Sequence, residues 1–559
     1  MKQHLKLFSF ISVLLFAWGC NNFPQKDSYA YFDYFTYKGC DSFYINNSLP
    51  DVSSFYNPIL PGWNSDPSVC FDGRNYYLVT STFAFYPGVP IYKSKDMLNF
   101  KQVNFALRDN YKQNLKGQRV NGGIYAATIR YNPANKYYYI ITTDVGNGNF
   151  VVKTDNPEGK WSDPIFLPSV TGIDPSLFFD DDNKAYVVNN GDPLKSEYEG
   201  HKAIWIQQYD VNGDSMTGPR KILVDKGVCG ADKPIWIEGP HMYKINGKYY
   251  LMCAEGGTGD NHSEVLFESD SPMGDYKPCK QNPILTRRHA DKNCKNPVTC
   301  AGHADLVYHQ NGNIYAVFLG CRPVAGKFEN LGRETFMLPL KFNKDKQPYI
   351  LDQSEDFPLI SKVEGAHRDS CVTFGNYFSR CDFDSLPDMS WLNLRQPLDS
   401  LVSVTRQPGF LALMCSAFPA TEAFTPAFLG KRLCHSAFEI ETSLSFNPPS
   451  SDYAAGLLMF KDQNHQYFLC LKNNNNIKNV ILTQVKDNQI VELASKPLDD
   501  DNSPVKLKIA SKDGLCFDFS FSQDEKYTTL ISGVDASYLS TAVAGGFTGT
   551  VVGPYAVVY

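Results

Sequence analysis

Residues 237–253 read IEGPHMYKINGKYYLMC, and this stretch decides the architecture. An acid, Glu238, heads the run Gly239-Pro240-His241-Met242. A turn follows at Asn246-Gly247, and then a second run, Tyr249-Tyr250-Leu251-Met252. Asn-Gly between two apolar runs predicts a β-hairpin, because both residues accept positive φ. The same unit occurs four more times. Asp66-Pro67-Ser68-Val69 turns at Asp72-Gly73 into Tyr76-Tyr77-Leu78-Val79, and Ala127-Thr128-Ile129-Arg130 turns near Asn132-Pro133 into Tyr137-Tyr138-Tyr139-Ile140. Asp174-Pro175-Ser176-Leu177 turns within Asp180 to Asn183 into Tyr186-Val187-Val188, and His303-Ala304-Asp305-Leu306-Val307 turns at Asn311-Gly312 into Ile314-Tyr315-Ala316-Val317. The period, roughly 50 to 65 residues, suits a four-stranded blade that buries its faces on its neighbours. A solenoid would need shorter, more uniform repeats. The reading is a five-bladed β-propeller over residues 56–348.

The rest of the chain extends the all-β assignment. Residues 349–375 are charged and irregular and read as a linker. From 376 to 559, short alternating runs such as Ser436 to Glu441, Tyr467 to Leu471 and Val505 to Ile509 predict a β-sandwich. The length of 559 residues supports two large domains, and the 14% aromatic content with 40 Gly and 34 Pro favours strands and turns. A net charge of −6 lacks the basic face that a nucleic-acid partner requires.

The first residues read as an address. Lys2 and Lys6 precede the apolar run Leu7 to Phe16, which is too short to span a bilayer. Ala17-Trp18-Gly19-Cys20 then resembles the cleavage site of a bacterial lipoprotein. Residues 1–20 are therefore expected to be a signal peptide, with Cys20 lipidated and the protein anchored in the bacterial cell envelope, on its periplasmic face or outer surface. A plain secretory signal is the alternative. Residues 21–55, with the aromatic stretch Tyr29 to Tyr44, are expected to form a tether. Cys70, Cys253, Cys321 and Cys470 lie in apolar runs and read as buried thiols, whereas Cys279, Cys294 and Cys300 are placed where an oxidising envelope could pair two of them.

Three of the five repeats open with an acid: Asp66, Asp174 and Glu238. Equivalent positions on the innermost strands of propeller blades face one axis, so these carboxylates converge. Glycoside hydrolysis needs such a set. One protonated carboxyl serves the leaving oxygen, and another activates water. A third nearby raises the pKa of the acid. The competing reading is that Asp before Pro-Ser is a strand-entry residue. On convergence alone the two readings stand level.

A family resemblance separates them. The chain resembles glycoside hydrolase family 43, the β-xylosidases and α-L-arabinofuranosidases. The match runs through Asn57 to Gly62, Asp66-Pro67-Ser68, Ser81-Thr82-Phe83, Phe85 to Ile91, Ser94-Lys95-Asp96 and Gly122-Gly123-Ile124. It continues in Ile237 to His241, Ala254 to Thr258, Gly302 to Val307 and Gly332-Arg333-Glu334-Thr335. It implies Asp66 as general base, Asp174 as the residue that orients the acid and tunes its pKa, and Glu238 as general acid. It also implies inversion, with base and acid about 6.5 to 9.5 Å apart. Phe83 and Arg333 align with substrate-binding residues. Tyr125 stands where relatives carry tryptophan in Gly-Ile-Trp-Ala-Pro, which changes the subsite and not the chemistry. No cofactor is implied as required. A structural calcium in the channel, held through waters beside His303, is compatible with the resemblance. Trp391 to Arg395, Ala454 to Leu457 and Gly545 to Thr550 resemble the concanavalin-like domain of family-43 β-xylosidases, a sandwich that would lend a loop to close the pocket. The expected substrates are pentose-containing polysaccharides or oligosaccharides such as xylan, arabinoxylan and arabinan. The expected reaction is removal of terminal xylosyl or arabinofuranosyl residues. The alternatives are a non-catalytic glycan-binding surface lipoprotein and a related propeller enzyme acting on another glycan.

Overall fold

The computed structural model describes residues 28–111, 115–228, 233–368, 375–486, 488–499 and 502–559. The signal peptide and Cys20 lie outside the described residues. Each repeat unit forms the inner strands of one blade. Blade one is Ser68–Phe71, Tyr76–Val79, Gly88–Ser94 and Lys101–Leu107. Blade two runs from Thr128–Asn132 to Ile165–Phe166, and blade three from Ile173–Phe179 to Ser215–Asp225. Blade four begins at Glu238–Ile245 and blade five at Thr299–Tyr308. Blade five has only three strands in its own sheet. The segment before blade one completes it: Leu60 bridges Thr335, and the Asn64 N–H donates to the Arg333 carbonyl at 2.8 Å. Closing the ring this way removes the exposed edge that an open array would leave.

The expected tether is a strand. Tyr29–Gly39 lies in the middle of an eight-stranded sandwich sheet, between Leu411–Met414 and Phe438–Ser445. Ala30, Phe32, Phe35 and Tyr37 are at most 1% exposed and join the core between that sheet and its seven-stranded partner. The physical reason is alternation: the buried residues of YAYFDYFTYKG recur every second position on either side of a bulge between Phe32 and Phe35, a strand pattern that needs a core to face. The linker is likewise partly paired, with Ile360–Lys362 against Ser54–Tyr56.

The two domains share a core. Trp63, Phe83, Phe85 and Phe105 of the propeller pack with Leu392, Leu394, Phe428, Phe460 and Val551 of the sandwich. Leu394 also pairs with Phe85 as a strand. Deeper toward the channel edge, Arg322 joins blade five to the other domain: its Nε and Nη2 donate to Glu334 at 2.6 and 2.8 Å, and Nη2 donates to the Cys434 carbonyl at 3.2 Å. All twelve described cysteines are free thiols, so no two of Cys279, Cys294 and Cys300 are paired; Cys279 and Cys300 are buried and Cys294 is exposed.

Because Phe32 is a fully buried ring, Phe32→Ala is expected to cost about 3–5 kcal/mol of stability, read as a lower urea midpoint. A true tether would tolerate the change without loss.

Candidate active site

The inner strands of blades one, three, four and five are entered through a shared backbone kink. Asp66, Asp174 and His303 have φ of 53, 51 and 53°, and Gly239 has φ 53°. The pairing of Ile173–Phe179, Glu238–Ile245 and Thr299–Tyr308 with their second strands shifts register at this point. A bulge with positive φ re-aims the side chain out of the pleat. It turns Asp66, Asp174 and His303 into the axial mouth. In blade four the kinked position is glycine, and the acid stands one residue earlier, at Glu238. The glycine is needed there: a Cβ on Gly239 would lie 2.9 Å from the His303 ring.

These residues meet in one pocket of about 90 Å³. Asp66, Asp174, Glu238, Phe83, Tyr125, Arg333 and His303, all seven site residues expected in the described part of the chain, line it. Asp66 is 8% exposed, accepts a 2.6 Å hydrogen bond from the Ser81 hydroxyl, and lies 3.7 Å from His303 Nδ1. The Gly239 N–H donates to Asp174 Oδ2 at 3.2 Å, which fixes Asp174 beside the residue following Glu238. Burial, with the charge of Asp66 adding to it, pushes the Glu238 carboxyl up to about 7, against the opposing pull of the Arg333 guanidinium. Burial and the charges of Glu238 and Asp66 hold the Asp174 carboxyl well above the usual carboxylate range. Three acids so close in a dry pocket cannot all be ionised. The set therefore retains a proton near neutrality, and a carboxyl with that affinity can act as a general acid.

The pocket wall is aromatic. Phe83 is held by a reciprocal pair of backbone hydrogen bonds with Ile124, at 2.9 and 3.0 Å. That pairing requires Gly123, where a Cβ would lie 2.2 Å from the Phe83 carbonyl oxygen. Tyr125 donates from its hydroxyl to the Asn121 carbonyl at 2.9 Å, so the hydroxyl that replaces an indole is used locally. Phe547 enters from the sandwich. It stacks on Phe83 with centroids 5.6 Å apart, meets Tyr125 edge-on at 5.7 Å, and lies 4.8 Å beneath the Arg333 guanidinium. Lys461 secures the Phe547 loop by donating to the Thr548 carbonyl and, at 3.1 Å, to the Thr541 hydroxyl. The glycines flanking Phe547 in the sequence motif permit this approach: a Cβ on Gly549 would sit 2.1 Å from the Leu331 carbonyl oxygen.

Below the acids, the channel holds a cation of the protein's own. Arg130 donates to Asp305 at 2.7 and 2.9 Å, and Ser68 and Tyr243 each donate to the same carboxylate at 2.6 Å. Although burial works against its charge, Arg130 and these donors hold the Asp305 carboxyl well below the usual range. His241 completes the group, with Nδ1 2.9 Å from Arg130. The channel oxygens thus converge on a guanidinium. His303 offers one nitrogen beside Asp66, which does not fit the oxygen-rich set that calcium takes. Among the described residues no group of three or more His, Cys, Asp or Glu is arranged to hold a metal. Arg130, Asp305 and Ser81 escaped the sequence reading, although Arg130 and Asp305 both lie inside the repeats, where the register of the inner strands could have marked them.

A closed propeller with a protonated carboxyl and a partner carboxylate in an aromatic pocket defines a glycoside hydrolase. Residues 55–348 match the model of the glycosyl hydrolases family 43, and residues 380–558 match that of the β-xylosidase C-terminal concanavalin A-like domain. The chain belongs to glycosyl hydrolases family 43. It is 33% identical over 520 residues to the non-reducing end α-L-arabinofuranosidase BoGH43B of Bacteroides ovatus, covering 90% of this chain and 91% of that one. It is 34% identical over 513 residues to a xylosidase/arabinosidase of Butyrivibrio fibrisolvens, covering 89% and 95%. Among solved structures it is similar to a GH43_12 retrieved from a capybara gut metagenome, with 38% identity, 94% and 99% coverage and a TM-score of 0.88. Enzymes of this family generally work without a cofactor.

With Glu238 protonated below about pH 7, activity that depends on it is expected to fall as pH rises through that value. Since Arg333 pulls the Glu238 carboxyl down, Arg333→Met is expected to move this alkaline limb to higher pH. A limb that stays in place in the variant would remove Glu238 as its source.

Proposed function

We propose that the protein is an exo-acting, inverting glycosidase that releases single terminal β-D-xylosyl or α-L-arabinofuranosyl residues from plant cell-wall polysaccharides and their oligosaccharides. The observation that carries this is the Glu238 carboxyl, raised to about 7 in the same small pocket as Asp66. In the proposed reaction Glu238 protonates the glycosidic oxygen as the bond from the anomeric carbon breaks. Asp66, oriented by the Ser81 hydroxyl, takes a proton from the water that attacks the opposite face of the sugar. Asp174, held beside Glu238 by the Gly239 N–H, orients the acid, while burial and the charge of Asp66 keep the Glu238 proton on. Phe83, Tyr125 and Phe547 form an aromatic wall for the apolar C–H side of the sugar, and Arg333 donates to its hydroxyls. The small volume and the Phe547 loop favour one terminal residue over an internal stretch of chain. The curated relatives named for both arabinofuranosidase and xylosidase activity support the two-sugar range.

Purified protein is expected to release nitrophenol from the β-D-xylopyranoside, the α-L-arabinofuranoside, or both. Asp66→Ala and Glu238→Ala are each expected to lose about 10²- to 10⁴-fold in kcat. Proton NMR of the first product should show the inverted anomer. Retention, or variants that turn over as the parent does, would defeat the mechanism.

We further propose that Cys20 carries a lipid that anchors the enzyme in the cell envelope. The basic start, the short apolar run and Gly19-Cys20 support this. Cys20→Ser is expected to abolish palmitate labelling and to move the protein from the detergent phase to the aqueous phase. Labelling that persists would assign the lipid elsewhere.

A further inference from the structure

His262 is a second histidine in the pocket wall, and none of the proposed catalytic steps uses it. It is 1% exposed. Its Nδ1 lies 2.8 Å from the Cys300 carbonyl oxygen. A carbonyl oxygen only accepts, so Nδ1 carries the hydrogen. In a neutral imidazole this leaves a lone pair on Nε2. Nε2 is buried and has no hydrogen-bond partner. A buried acceptor without a partner is unfavourable, and in a pocket wall a bound ligand group is one way to satisfy it.

The ring cannot swing away to find another partner. It lies against Gly302, where an added Cβ would be 2.8 Å from the imidazole. The His262 N–H donates to the Gly259 carbonyl at 3.0 Å, and its own carbonyl accepts from the Thr286 hydroxyl at 2.9 Å. Burial, aided by the charges of His303 and Arg333, pushes the imidazole down to about 3, so the lone pair stays free at working pH. Among the charged side chains of the pocket, Asp66, Asp174 and Glu238 are engaged in proton traffic, and Arg333 only donates.

We propose that His262 is a substrate-binding residue whose Nε2 accepts a hydrogen bond from one hydroxyl of the bound pentose. This rests on the glycosidase reading above and deepens it. A sugar hydroxyl donates and accepts at once, so it completes Nε2 while taking a hydrogen bond from a donor elsewhere in the pocket. A ring carrying only C–H at that position would leave Nε2 buried and unpaired. His262 therefore selects for a hydroxyl at one defined position of the terminal sugar.

The test is a cycle between enzyme and substrate. kcat/KM is measured for the parent protein, His262→Phe and His262→Gln, on whichever nitrophenyl pentoside, β-D-xylopyranoside or α-L-arabinofuranoside, the parent turns over faster and on the three monodeoxy analogues of that sugar. His262→Phe is expected to lose about 10- to 100-fold on the parent sugar and nothing on the one analogue that lacks the hydroxyl served by Nε2. His262→Gln, which offers an amide oxygen in place of Nε2, is expected to lose less than about 10-fold and to show the same selective pattern. An equal loss on all four sugars, in either variant, would make the ring a structural clamp on Cys300 and overturn the proposal. Should His262→Phe not fold, the glutamine variant carries the same comparison. Turnover by the parent protein is the separate check on the glycosidase reading, because its absence would defeat that reading before His262 is reached.

Discussion

The ion pair of Arg130 with Asp305 joins the inner strands of blades two and five, and the rest of the site is built upon it. A propeller axis brings polar strand ends into a narrow space from which water is largely excluded. Charge there is tolerable only when it is paired and hydrogen-bonded. Asp305 is fully buried, and guanidinium, serine and tyrosine donors surround it, drawn from blades one, two and four. Those bonds tie three blades to one carboxylate of the fifth. They give the channel a floor, and above it the three acids of the pocket stand in fixed positions.

The acids use the opposite electrostatic logic. At Asp305 the opposing charge lies within hydrogen-bond reach, and the carboxylate stays ionised. At the mouth, Asp66, Asp174 and Glu238 crowd one another with Arg333 as the moderating cation, and proton affinity rises. The same burial thus has two consequences a short distance apart, decided by whether a cation or another acid is the nearest neighbour. The bulged, positive-φ entry to the inner strands makes the second case possible, because it swings side chains from successive blades toward one point.

The sandwich is part of the site. Phe547 supplies the ring that faces Phe83 and Tyr125, and its loop is held by Lys461, whose ammonium burial pushes down to about 8. The core shared by Trp63, Phe85, Leu394 and Phe460 keeps the two domains in register. Strand Tyr29–Gly39 comes from the start of the chain into the sandwich before the propeller begins, so the two domains are interleaved in sequence as well as packed in space.

Much of this was legible in the residues themselves. Turn dipeptides between apolar runs, repeated five times, determined the blades, because hairpin geometry is a local property of φ and side-chain alternation. Acids at the heads of equivalent repeats determined that carboxylates would converge, because equivalent positions in a ring face one axis. The Gly-rich frame of Phe547 marked a close approach. Only the tertiary structure decided which groups would meet across long separations. Tyr29–Gly39 alternates as a strand, yet nothing local names its partners at Leu411–Met414 and Phe438–Ser445. Arg130 looks like any strand-end charge until Asp305, 175 residues away, closes on it. His262 becomes a free acceptor only because Cys300, on the next blade, takes its other nitrogen. Protonation and pairing depend on distance and burial in three dimensions, and a linear pattern carries neither.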